Sequence, residues 1–147
     1  MYDLMIIGSG PAGISAALTA KARNLNFIWF GSRALSTKIE KAEKIMNYPG
    51  LPAVTGSEMQ SVFLKQIDDC GITITESQVN SIYDCGGYFA AGADNEIYEA
   101  KAVIMTVGMT TTREIEGEAR LLGCGVSYCA TCDGALYKNK DIAVICA

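Results

Sequence analysis

The sequence predicts an α/β fold: a parallel sheet with helices, a small antiparallel β-meander, and the start of a second α/β unit. Three observations predict it. Apolar runs of strand length alternate with helix-forming stretches in the first thirty residues, short strands with tight turns fill the middle, and another apolar run follows a cysteine pair near the end. The 147 residues are enough for a domain with its own core.

Residues 2–7 are apolar apart from Asp3, the pattern of a parallel strand buried on both faces. Gly8-Ser9-Gly10-Pro11-Ala12-Gly13 follows at once, with Pro11 at the first helical position. Ile14 to Arg23 is rich in Ala and Leu and reads as a helix, and Asn26 to Phe30 as a second strand. Residues 31–46 read as loop with some helix, and Asn47-Tyr48-Pro49-Gly50 as a turn. Thr55 and Glu58 have capping-box spacing ahead of a helix from Gly56 to about Cys70. Met59, Val62, Phe63 and Ile67 are expected on its buried face, and Gly71 ends it.

Ile72 to Thr75 alternates in polarity. Val79–Tyr83, Tyr88–Ala91 and Glu96–Glu99 are short strands separated by the turn pairs Gly86-Gly87 and Asp94-Asn95, giving the meander. Ala102–Thr106 reads as a separate buried strand and Asp141–Ile145 as another. A strand with nothing after it does not close a sheet, so the chain is expected to be the amino-terminal portion of a longer protein.

Composition excludes several function classes. Half of the residues are hydrophobic, the net charge is −4, and no Lys/Arg run stands out, so nucleic acid is not an expected partner. No apolar run is long enough to span a bilayer, and no signal peptide is visible, so membrane association is not expected and the expected compartment is the cytosol. The absence of His removes the commonest general base and metal ligand.

The glycine turn carries the first chemistry. It leaves a strand and opens a helix, the context that gives G-x-G-x-x-G its meaning. Gly8 permits the tight turn, Gly10 lets a pyrophosphate approach the backbone, and Gly13 lets helix and strand pack closely, while N–H groups at the helix start face the anion. The carboxylate that usually binds the ribose about 20 residues on is missing: the second strand ends Trp29-Phe30-Gly31-Ser32-Arg33. Backbone groups or Arg33 are the candidates to replace it.

Cys129-Ala130-Thr131-Cys132 carries the second chemistry. One thiolate of such a pair attacks a substrate disulfide and its neighbour resolves the mixed disulfide; a helix start lowers a thiol pKa. Asp133 is placed to shuttle a proton to a leaving thiolate, or to cap a turn. A metal alternative exists, because Cys124, Cys129 and Cys132 are spaced C-x4-C-x2-C with Cys146 beyond, similar to an iron–sulfur or zinc set. The short gap to Cys146 and its apolar surroundings argue against this. No metal is expected, and Cys124 and Cys146 are read as structural. Cys70 and Cys85 are read as ordinary buried residues.

In order along the chain, Gly8–Gly13, Asn47-Tyr48-Pro49-Gly50, Thr106-Val107-Gly108 and Gly125-Val126-Ser127-Tyr128-Cys129-Ala130-Thr131-Cys132-Asp133-Gly134 resemble the low-molecular-weight thioredoxin reductases and their flavin-dependent relatives. The resemblance implies a Rossmann-like FAD-binding domain, its amino-terminal part over residues 1–110, and the start of an inserted dithiol-bearing domain over 111–147. It implies FAD on Gly8, Ser9, Gly10, Pro11, Ala12 and Gly13, with Asn47 near the isoalloxazine ring and Gly108 also at the cofactor. Cys132 would lie against the flavin, Cys129 would face a thioredoxin-like partner, and Asp133 would be the acid. A homodimer is expected on the same basis.

Two departures from the family pattern bear on function. Ser36-Thr37-Lys38-Ile39 stands where Gly-Gly-Gln-Leu is usual. Cys146 and Ala147 stand at the first two positions of the NADPH-binding glycine turn, where side chains obstruct the turn and the phosphate. NADPH at that site is therefore not expected, and the resemblance leaves the donor as reduced ferredoxin, which some relatives use, or NADPH. A reductase of another disulfide protein, such as a peroxiredoxin, and a non-catalytic dinucleotide-binding module stay open as alternatives.

Overall fold

A computed structural model of the chain describes residues 1–108, 115–128, 130 and 134–145. The elements are β1 (Tyr2–Ile7), α1 (Pro11–Ala22), β2 (Phe27–Phe30), α2 (Thr37–Glu40), α3 (Gly56–Asp69), β3 (Val79–Asp84), β4 (Phe89–Ala93), β5 (Glu96–Met105) and α4 (Glu118–Leu121), then a 3-10 turn at Gly134–Tyr137. The sheet order is β2-β1-β5-β4-β3. β1 lies parallel to both β2 and β5, and β3, β4 and β5 form the antiparallel meander. No helix among the described residues is long and apolar enough to cross a membrane.

The apolar run of β1 is continuous because both sheet faces are covered. Leu4 and Ile6 join Ile14 and Ala17 of α1 and Met59, Phe63 and Ile67 of α3 on one face. Met5 and Ile7 join Ile28, Phe30 and the meander residues Ala91, Ala93 and Ala100 on the other. Phe30 meets Tyr98 edge-to-face at 5.0 Å between ring centroids.

Several expectations are corrected. The two strands expected at Glu96–Glu99 and Ala102–Thr106 are one strand, β5, which pairs with β4 through Glu96–Ala100 and with β1 through Ala100–Met105. Its second half is not buried as expected, with Met105 63% exposed. On α3 the capping box is present, but Val62 is exposed and Gln60 takes the buried place, its Nε2 donating to the Ser36 carbonyl where α2 docks. Asp141–Ile145 is irregular, its apolar side chains exposed. Cys70 and Cys85, expected buried, are exposed, as is Cys124.

Candidate functional site

The glycine turn is held rigidly from three sides. The Gly8 N–H donates to the Phe30 carbonyl at 2.8 Å. The Gly8 carbonyl accepts from Trp29 Nε1 at 2.9 Å and Thr106 Oγ1 at 3.0 Å. Buried Ser9 donates through Oγ to the Leu35 carbonyl and accepts from the Ser32 N–H at 2.9 Å. Its hydroxyl thus ties the turn to the loop after β2.

Two of the three glycines are required by the protein itself. Gly8 has φ +110°, and a Cβ there would lie 2.3 Å from the Thr106 carbonyl oxygen. A Cβ on Gly13 would lie 2.0 Å from the Gly8 carbonyl oxygen. Gly10 differs. Its φ of −73° and ψ of 179° suit any residue, and a Cβ would meet nothing within 4 Å. The fold leaves open the space that a side chain at 10 would fill.

That space is the start of a cleft of about 1060 Å³. Gly8 to Ala12 form one wall, Phe30 to Ser32 and Ala34 to Lys38 a second, Glu76 to Val79 a third, and Met105 to Gly108 the floor. The volume reaches the upper end for small-molecule and cofactor sites. The start of α1 faces it without a side-chain cap and without an acidic residue in the first turn. Among the described residues no side chain caps these helix N–H groups, and an anion would satisfy them. The residues fit a dinucleotide pyrophosphate.

Of the expected cofactor residues, Gly8, Ser9, Gly10, Pro11, Ala12 and Gly108 line this cleft, and Gly13 is buried in the first turn of α1. Asn47 is exposed and is not among the lining residues; its turn is anchored to α3 by Tyr48 packing on Phe63, ring centroids 5.4 Å apart. Ser36, Thr37 and Lys38, in the stretch that departs from the family pattern, do line it, at the start of α2. Cys129, Cys132 and Asp133 lie outside the described residues, as does Cys146 of the metal alternative.

Arg33, a sequence candidate for adenosine recognition, is engaged elsewhere. Its guanidinium forms a two-pronged pair with Asp68 at 2.9 and 3.0 Å. That hydrogen bonding raises the Arg33 pKa and holds the Asp68 carboxyl below its ordinary range. Thr106, which locks the turn, and Glu76, which enters the cleft, were missed as site residues. The Thr106-Val107-Gly108 match pointed to the first, and no local signal marks the second.

The strand–turn–helix and its cleft define a dinucleotide-binding α/β domain. Comparison with known proteins narrows the class. Residues 2–147 match the pyridine nucleotide-disulphide oxidoreductase family. The chain is 32% identical over 146 residues to a thioredoxin reductase of Bacillus subtilis, covering 99% of this chain and 46% of that protein. A ferredoxin-flavin thioredoxin reductase structure from Clostridium acetobutylicum superposes with TM-score 0.74 at 48% identity, over 92% of this chain and 47% of that one. The thioredoxin reductase structure from Streptococcus pyogenes gives TM-score 0.82 at 35% identity, over 93% and 45%. The chain belongs to the pyridine nucleotide-disulphide oxidoreductase family. It spans about half the length of these relatives.

Proposed function

We propose that this chain carries the FAD-binding turn and the redox dithiol of a cytosolic, homodimeric, flavin-dependent disulfide reductase acting on a thioredoxin-like protein. The observation that carries the reading is Gly10, a glycine that the fold does not require, at an uncapped helix start in a cleft of dinucleotide size. Gly8 to Gly13 would hold the pyrophosphate, with Gly108 at the cleft floor and Asn47 the proposed residue near the ring. When bound, FAD supplies a two-electron carrier that reduces the Cys129–Cys132 disulfide.

The thiols then do the exchange chemistry. The Cys129 thiolate attacks the partner's disulfide, forming a mixed disulfide and releasing one partner thiolate, which Asp133 would protonate. Cys132 attacks Cys129 Sγ, restores the Cys129–Cys132 disulfide and releases the partner's second thiol. Two electrons have passed to the partner.

The donor in this reading is reduced ferredoxin. Cys146 and Ala147 stand where a second glycine turn would need bare backbone, and the similarity to a ferredoxin-flavin thioredoxin reductase supports the same choice. The experiment is anaerobic: NADPH, then reduced ferredoxin, is added to the purified flavin-loaded protein while flavin absorbance is followed. Bleaching by ferredoxin alone is expected, and rapid bleaching by NADPH rejects the donor assignment.

A further inference from the structure

We infer that Glu76 is the ribose-binding carboxylate of this dinucleotide site, delivered by the segment before β3 in place of an acid at the end of β2. The inference rests on the dinucleotide reading above. β2 runs out at Phe30 with Gly31, Ser32 and Arg33 beyond it and no carboxylate among them. A second segment fills the edge. Thr75 makes a parallel bridge with Phe30, its N–H donating to the Trp29 carbonyl at 2.7 Å and its carbonyl accepting from the Gly31 N–H at 3.1 Å.

That pairing puts the next residue, Glu76, beside the end of β2 and in the lining of the cleft that the glycine turn also lines. Its Oε1 accepts the Arg33 N–H at 2.8 Å, which fixes the carboxylate to the loop after β2. A carboxylate has about four acceptor sites, so one backbone bond leaves capacity for the vicinal hydroxyls of a ribose. The nearest cation on that loop, Arg33, is already paired with Asp68. The chemistry suits an unmodified ribose, whose hydroxyls donate, and disfavours a 2′-phosphate, whose charge repels.

Calorimetric titration of the purified chain with ADP and with 2′,3′-dideoxy-ADP, on wild type and E76Q, tests the assignment. Gln keeps an oxygen for the Arg33 N–H but removes the charge. The wild type should prefer ADP by about tenfold, a hydrogen bond to a charged group. E76Q should lose most of that preference while binding the dideoxy analogue as the wild type does. E76A, with its fold checked by the melting curve, should behave likewise. Equal weakening of both nucleotides in E76Q would make Glu76 a loop-fastening residue and overturn the inference, as would unchanged preference. Failure of the wild type to bind either nucleotide would overturn the dinucleotide reading itself.

Discussion

Gly10 and Gly13 lie three positions apart in one motif and answer to different demands. Gly13 is a packing residue, because any Cβ there runs into the Gly8 carbonyl. Gly10 has the backbone of an ordinary residue and open space around it. Gly13→Ala should therefore destabilise the chain by about 3 kcal/mol, the upper range for overpacking, read from the urea midpoint. Gly10→Ala should leave stability within about 1 kcal/mol of the wild type yet weaken FAD binding about tenfold or more, because its methyl occupies the phosphate's approach. A Gly10→Ala protein that melts normally and binds FAD normally would remove the main support for the site. The sequence motif already gave the three glycines different roles, Gly8 in the turn, Gly13 in packing and Gly10 at the pyrophosphate. The geometry fits that division: a Cβ at Gly8 or Gly13 runs into backbone, and one at Gly10 meets nothing within 4 Å.

Among the elements, α3 was the most legible, because its start is written locally. The Thr55 hydroxyl accepts the Glu58 N–H at 3.2 Å, and Glu58 Oε2 accepts the Thr55 N–H at 2.8 Å. Thr55→Ala should cost about 1 kcal/mol in a denaturant titration. The Thr55 N–H, then its hydroxyl, holds the Glu58 carboxyl below its ordinary 4.5. The Lys101 ammonium, then the Asn26 N–H, does the same for Asp3, below 3.8. A carboxyl depressed in the fold adds stability above its unfolded value and loses it as pH falls through the folded one. The melting temperature should fall as the pH drops below about 4.5, and the fall should be shallower in Glu58→Gln. All these groups are exposed, so salt should flatten the effect. The sequence pattern misread Val62 and Gln60 because burial on α3 depends on where α2 docks. It split β5 because an unbroken strand that changes partner has two apolar segments and no turn between them.

At the scale of the whole molecule, the site joins four separated stretches of chain, and two of them, Gly8–Gly13 and Thr106-Val107-Gly108, held a recognisable motif. Glu76 reaches the cleft through the pairing of Thr75 with β2, and pairing across more than forty residues leaves no trace in local pattern. The proposed dithiol was read from sequence for the opposite reason: its chemistry needs only two cysteines at a fixed short spacing, and both lie outside the described residues. The proposed order of the two makes an asymmetric prediction. Cys132→Ser leaves Cys129 as attacking thiolate with no resolving neighbour, so incubation with an oxidised thioredoxin-like protein carrying one replaced cysteine, activated as a mixed disulfide, should accumulate a covalent complex that dithiothreitol cleaves. Cys129→Ser should give little of it. Cys70, Cys85 and Cys124 are exposed and would add their own mixed disulfides, so both variants belong in a background with those three and Cys146 changed to Ser. Equal trapping by both variants in that background would show that either sulfur reaches the partner, and the assignment of Cys129 as the outward thiol would fail.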